Sequence, residues 1–209
     1  MKSISIFLFL LITLASNAQD NKTSGLNARQ FHKYWKVESE SPDYKVTFRG
    51  DTAEILSSKG LTLWRKEKMS GKVTIEYDAC VVVEAEGDRL SDLNCFWMAS
   101  DPQYPDNIWK REKWRNGIFQ NCYSLQLYYM GYGGNYNSTT RFRRYDGNEA
   151  AIMEAGLRPS ILKEYTDAEH LLKANHWYHI KITNENNRVS YYIDGKRLVD
   201  FRDTEPLTE

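Results

Sequence analysis

The stretch from Trp177 to Arg197 constrains the fold most. Trp177-Tyr178-His179-Ile180-Lys181-Ile182 and Arg188-Val189-Ser190-Tyr191-Tyr192-Ile193 alternate apolar and polar residues, the period of a strand with one buried face. Between and after them stand Asn184, Asn186 and Asn187, then Asp194-Gly195. These residues reverse a chain within a few positions because they tolerate left-handed backbone. The same alternation recurs upstream, above all over residues 72–84, where Val73, Ile75, Tyr77, Ala79, Val81 and Val83 share one face. Further strand-like runs cover residues 44–49, 53–57, 60–65, 93–99, 123–130 and 139–145, with Trp35 and Val37 opening the series. Many short strands between turn residues predict an all-β antiparallel sandwich. Two segments depart from this pattern. Residues 101–121 form a long insertion carrying Trp109 and Trp114 among charges, and residues 148–173 read as the helical region. Within the latter, Thr166-Asp167-Ala168-Glu169 has the spacing of a capping box.

The N-terminus reads as an export signal. Lys2 precedes an apolar run from Ile4 to Leu14, and Ser16-Asn17-Ala18 offers small residues for cleavage after Ala18. The run is too short for a comfortable membrane span, and no cysteine at the cleavage point provides a lipid anchor. The expectation is therefore residues 1–18 as signal peptide and 19–209 as one exported domain, in the periplasm, at the cell surface or outside. Lys and Arg total 28, as do Asp and Glu, so no overall basic field points to nucleic acid. Cys80, Cys95 and Cys122 match no metal-ligand spacing; at most one disulfide can form among them, and three buried free thiols is the preferred reading.

Several motifs carry family resemblances. A Trp opening one strand and Tyr192-Ile193-Asp194-Gly195 closing the next resemble the late hairpins of concanavalin-like jelly rolls. That superfamily includes lectins, laminin-G-type modules, glucanases and polysaccharide lyases. The resemblance implies a further glycine- and aromatic-rich strand returning beside the first one, after the point where this sequence reaches Pro206. Without it a central sheet position is expected to stand empty, unless Trp35 and its neighbours close the sheet. Asp92-Leu93-Asn94, Trp97-Met98-Ala99-Ser100-Asp101-Pro102, Tyr128 to Asn135 and Thr139 to Tyr145 together are similar to a secreted family from polysaccharide-degrading Bacteroidetes, classed as a domain of unknown function. That likeness implies a carbohydrate context and transfers no catalytic residue.

The candidate site residues fall into groups. Glu76 and Asp78 share a strand face about 7 Å apart. They resemble the first two acids of the Glu-x-Asp-x-x-Glu motif of retaining glucanases, but Val81 replaces the third, which argues against that mechanism. Gln126 and Tyr128 share one face, and Arg141 and Arg143 share a face of the next strand, joined through the glycine-aromatic stretch 131–137. A β-eliminating lyase needs a cation or amide on the uronate carboxylate, a base and an acid. Jelly-roll alginate-type lyases carry a Gln-x-His strand, and here Gln126-Leu127-Tyr128 places tyrosine at the histidine position. Tyr128 or Tyr132 is then the expected proton carrier, with Gln126, Arg141 and Arg143 on the carboxylate. The competing reading is a polar face that binds sugar or packs against a loop. Asp92 and Asn94 are candidate sugar ligands and fall short of the six or more oxygens calcium requires, so no cofactor is expected. Trp109 and Trp114 suit an aromatic lip, and His179 is a further candidate. The expectation is a secreted polysaccharide-active protein, a lyase on a uronate-containing glycan. The alternative is a non-catalytic glycan-binding module.

Overall fold

The computed structural model describes residues 4–9, 27–150, 154 and 156–208; the expected cleavage point at Ala18 lies outside them. The strands in chain order are β1 (Ile4–Phe9), β2 (Trp35–Ser39), β3 (Lys45–Arg49), β4 (Thr52–Ser57), β5 (Leu61–Arg65), β6 (Val73–Val82) and β7 (Leu93–Ser100). They continue with β8 (Gln126–Gly133), β9 (Thr139–Asp146), β10 (Ile161–Tyr165), β11 (Trp177–Glu185), β12 (Arg188–Ile193) and β13 (Lys196–Arg202). A seven-stranded sheet runs β13-β12-β11-β6-β1-β4-β3 and faces a four-stranded sheet, β10-β9-β8-β7; β2 and β5 form a separate pair. Every pairing is antiparallel. The protein is an all-β antiparallel sandwich of jelly-roll type. No helix among the described residues is long and apolar enough to cross a membrane.

The late hairpins form as the alternation predicts. The β11–β12 turn has Asn186 at φ 54°, and the β12–β13 turn has Asp194 and Gly195 at φ 50° and 78°. Positive φ at both central residues gives the twist that a two-residue hairpin needs. Val73, Ile75, Tyr77, Ala79 and Val81 of β6 are buried. With Ile180, Ile182, Val189 and Tyr191 they pack against Trp97, Tyr128, Met130 and Phe142 of the smaller sheet. Cys80 and Cys122 are buried, Cys95 is half-buried, and all three are free thiols. Burial raises Cys95 to about 11 and Cys122 to about 12, so both stay protonated and unreactive near neutral pH.

The insertion 101–121 does more than decorate an edge. It lays Ile108, Trp109 and Phe119 against Leu127, Tyr129 and Tyr145, forming a second core with Trp64 on the outer face of the four-stranded sheet. That sheet is thus apolar on both faces over part of its length. Within residues 148–173 the described residues Glu149, Ala150 and Glu154 are helical, as expected, whereas the second part forms β10 and a three-residue 3-10 turn, Ala168–His170, in place of a second helix. Trp35 and its neighbours do not close the large sheet, because β2 pairs only with β5. The central position expected to stand empty is held instead by Ile4–Phe9.

Candidate functional site

The pairing of β8 with β9 decides which side chains meet. Tyr129 lies opposite Arg143 and Gly131 opposite Arg141, while Tyr128 lies opposite Arg144. Because side chains alternate along a strand, Tyr129, Arg141 and Arg143 share the outer face, and Gln126, Tyr128 and Tyr132 share the inner parity. The expected grouping of Tyr128 with Arg141 and Arg143 is therefore corrected: the sheet separates them. Tyr128 is fully buried; its hydroxyl donates to Asp203 Oδ2 at 2.6 Å and accepts from Leu207 N–H at 3.1 Å. Burial, followed by the Asp203 bond, raises its phenol far above the usual value. Gln126 sits opposite Asp146, five positions along β8 from Gly131, about 17 Å away. Tyr132 is buried, with its hydroxyl on the Leu171 carbonyl at 3.3 Å.

Glu76, Asp78 and His179 lie on the outer face of the other sheet, across both layers from the arginines. Lys181 pairs with Glu76 at 2.7 Å, and His179 Nδ1 meets Asp78 at 2.8 Å. These are ion pairs between neighbouring strands on a solvated surface, and they do not join Arg141 and Arg143.

Arg141 and Arg143 open into a cleft of about 1190 Å³ that wraps the free edge of β7 and has β5 as its far wall. Its aromatic lining includes Trp64, Phe96, Trp109, Tyr129 and Tyr136, and Arg89 and Arg158 add to its cations. Arg141 Nε donates to Glu164 Oε1 at 2.5 Å, and Arg143 donates to the Pro159 carbonyl. Both guanidiniums are thus tethered while remaining partly exposed. Asp92 and Asn94 line the same cleft. Asp92 pairs with Arg89, and Asn94 Oδ1 accepts the Tyr129 hydroxyl at 2.9 Å. Trp109 lines the cleft, whereas Trp114 stands outside it with the Arg111 guanidinium 5.0 Å over its ring.

Several cleft residues were not singled out from the sequence. The turn after β8 carries Asn135, Tyr136 and Asn137 at φ 53°, 58° and 55°. Such conformations are costly for non-glycine residues and persist only where surrounding contacts impose them. Here Asn137 clamps the backbone of Leu172, donating to its carbonyl at 2.9 Å and accepting its N–H at 2.8 Å. Residues Gly134–Asn137 therefore form a fixed turn. It presents Tyr136, 74% exposed, beneath the Arg89 guanidinium at 4.7 Å from the ring centre. Tyr129 was masked by its neighbour Tyr128; the signal was Gly131, two residues on and on the same face. A Cβ at Gly131 would lie 2.1 Å from the Tyr129 hydroxyl, so glycine leaves room for the ring to reach Asn94. Gly131→Ala should force Tyr129 off Asn94 and cost about 2 kcal/mol, measurable by urea unfolding.

No histidine lies among the described residues lining the cleft. Tyr129 is raised far above the ordinary phenol value by burial first and by Asp92 second, so it holds its proton. Among the described residues, Asp167, Glu169 and His170 bring ligand atoms within 4.8 Å of one another. Lys196 Nζ already sits 2.5 Å from Glu169 there.

Fold and cleft together define an antiparallel β-sandwich with a preformed arginine- and tyrosine-lined groove on its smaller sheet. The chain belongs to the family described as Domain of unknown function (DUF6250), which residues 55–209 match. No curated protein matches it significantly. Among solved structures, it is similar to the carbohydrate binding module CBM66 from Bacillus subtilis, at 15% identity and TM-score 0.49, covering 83% of this chain and 81% of that one. It is also similar to a Bacillus subtilis protein of unknown function with a galectin-like fold, at 12% identity and TM-score 0.47, covering 82% and 75%.

Proposed function

We propose that this sandwich is a non-catalytic module, exported by its leader, that binds an acidic polysaccharide in the β7-edge cleft. The observation that carries the reading is the convergence of Arg89, Arg141, Arg143 and Arg158 with the exposed ring of Tyr136 and the half-buried Trp109 in one open groove. Guanidinium forks suit carboxylate or sulfate, and aromatic faces suit the apolar face of a sugar ring. Asn94 adds a short polar group beside them. A lyase needs a group that gives up and takes back a proton near neutral pH. The cleft's described residues include no histidine, and its Tyr129 phenol is held protonated. Binding therefore accounts for the site better than elimination does.

Affinity electrophoresis of the purified protein against uronate-rich, sulfated and neutral polysaccharides tests this, with ultraviolet absorbance of the same mixtures followed in parallel. The expected result is retardation by an acidic polymer, weakened by salt, with flat absorbance. Arg141→Ala with Arg143→Ala should lose at least about tenfold in affinity, roughly 1.4 kcal/mol, while Tyr128→Phe leaves affinity unchanged. Retardation by neutral glycans alone would overturn the charge assignment, and rising absorbance would restore the lyase.

A further inference from the structure

The charges of Arg89, Arg141, Arg143 and Arg158 are not equally available to a ligand. Arg89 is ion-paired with Asp92, and Arg141 Nε donates to Glu164 Oε1 at 2.5 Å. A carboxylate in contact cancels most of the field that a bound anion would feel. Arg143 is held differently: its guanidinium donates to the Pro159 carbonyl, a neutral acceptor, so no opposite charge offsets it. Arg158 is exposed and has no ion pair or hydrogen bond among the described residues. The chain brings these two together, because the carbonyl that receives Arg143 belongs to the residue after Arg158. Tyr123, which also lines the cleft, stands beside both: burial raises its phenol, and Arg158 and then Arg143 pull it back. The carboxylates of the cleft do not neutralise this pair. Glu40, Glu67 and Asp92 are taken by Lys59, Arg65 and Arg89, and Asp106 forms no ion pair with either arginine.

The opposite end of the cleft has another character. Gly134 bridges Thr139, four residues along β9 from Arg143 and so about 13 Å away. Asn135 and the exposed Tyr136 stand there with the neutralised Arg89–Asp92 pair. We infer that the cleft has a charged end and a neutral end: Arg143 and Arg158 form its anion subsite, and Tyr136 with Asn135 receives uncharged sugar. The ligand is then a glycan in which a carboxylate or sulfate is followed by neutral residues, and a polymer charged at every residue fits less well. This inference rests on the glycan-binding reading and states where in the groove the charge is read. Arg89 and Arg141, each already paired, hold the walls of the cleft and contribute hydrogen bonds more than net charge.

Two measurements separate this assignment from the glycan reading itself. In the first, sodium sulfate and sodium acetate are titrated as bare anions while arginine Nε–H signals are followed by NMR, assigned through Arg143→Lys and Arg158→Lys. The Arg143 and Arg158 signals should shift at lower anion concentration than those of Arg89 and Arg141, and the stronger of the two salts indicates sulfate or carboxylate. In the second, affinity electrophoresis compares a polysaccharide that alternates uronate with neutral sugar, a uronate homopolymer and a neutral glucan. The alternating polymer should be retarded most. Arg158→Ala, a change at an exposed side chain that leaves the fold intact, should weaken retardation about tenfold, the loss of one charge-assisted hydrogen bond, and flatten its salt dependence. Arg141→Ala should cost less and keep the salt dependence. Equal shifts at all four guanidiniums, or equal losses for Arg141→Ala and Arg158→Ala, would overturn the subsite while leaving glycan binding in place. Stronger retardation by the homopolymer would overturn the neutral end. No retardation by any acidic polymer, with Arg143 and Arg158 still shifting first, would remove the glycan and keep the anion subsite.

Discussion

Replacing Glu38 with alanine will destabilise the domain by about 3–5 kcal/mol, the cost of stranding one member of a buried ion pair. Arg115 is fully buried, and its Nη2 and Nε reach Glu38 Oε1 and Oε2 at 2.6 and 3.2 Å. Its Nη1 donates to the Ile108 carbonyl at 2.8 Å. The pair therefore ties β2 to the insertion that roofs the second core. Burial raises the Glu38 carboxyl above its usual value despite the pull of Arg115, so desolvation is not fully repaid. For an acid with a raised folded value, the contribution is present below the unfolded pKa of about 4.3 and declines as pH rises through the folded one. The pair's role is accordingly to fix the insertion, not to add net stability at neutral pH. Glu38→Leu combined with Arg115→Met should recover most of what either single change loses. Urea unfolding of the two singles and the double, read as a double-mutant cycle, measures this. Additive losses in the double variant would show that the two side chains act separately.

The elements set by local chemistry were legible in the sequence, and those set by pairing between elements were not. Alternation identified the buried face of β6, and Asn186 and Asp194-Gly195 located the last two hairpins, because each depends on residues within a few positions. Alternation also states which residues of one strand share a face. It is silent on which face of the next strand they join, and a one-residue change of register exchanges all of them. That is why Tyr128 was grouped with Arg141 and Arg143, when Tyr129 is the residue opposite Arg143. Asp92, Asn94 and Trp109 do reach the cleft with the two arginines. Tyr136 joins it, under the Arg89 guanidinium, through a turn whose left-handed run is imposed by Asn137 gripping Leu172, a contact 35 residues away in sequence. Leader-like composition likewise gave no hint of a strand, because pairing with β4 and β6 exists only in the folded sheet.

Asp203→Ala should cost about 3 kcal/mol at neutral pH, and part of that loss should vanish in acid. Asp203 is 4% exposed and gathers three donors: Tyr128 Oη at 2.6 Å, Arg144 Nε at 2.8 Å and Glu205 N–H at 3.0 Å. Removing it leaves a buried phenol without an acceptor and a guanidinium without its carboxylate, each on the order of 1–3 kcal/mol and not additive. Burial pushes this carboxyl upward, but the bonds from Tyr128, Glu205 and Arg144 outweigh it and hold the value below the ordinary carboxylate range. The unfolded chain therefore takes up the proton first. The contribution is whole above the unfolded value of about 3.9 and is lost as pH falls through the folded value. Unfolding in urea at about pH 7 and about pH 3 should show the wild-type advantage shrinking, with Asp203→Asn intermediate because it keeps an acceptor for Tyr128. An advantage that stays constant with pH would mean that packing of Leu207, whose N–H bonds Tyr128, and not the charge, holds this end of the chain. Saccharide binding should be unaffected by either variant, because Tyr128 and Asp203 lie on the inner side of the sheet that carries the arginine cleft.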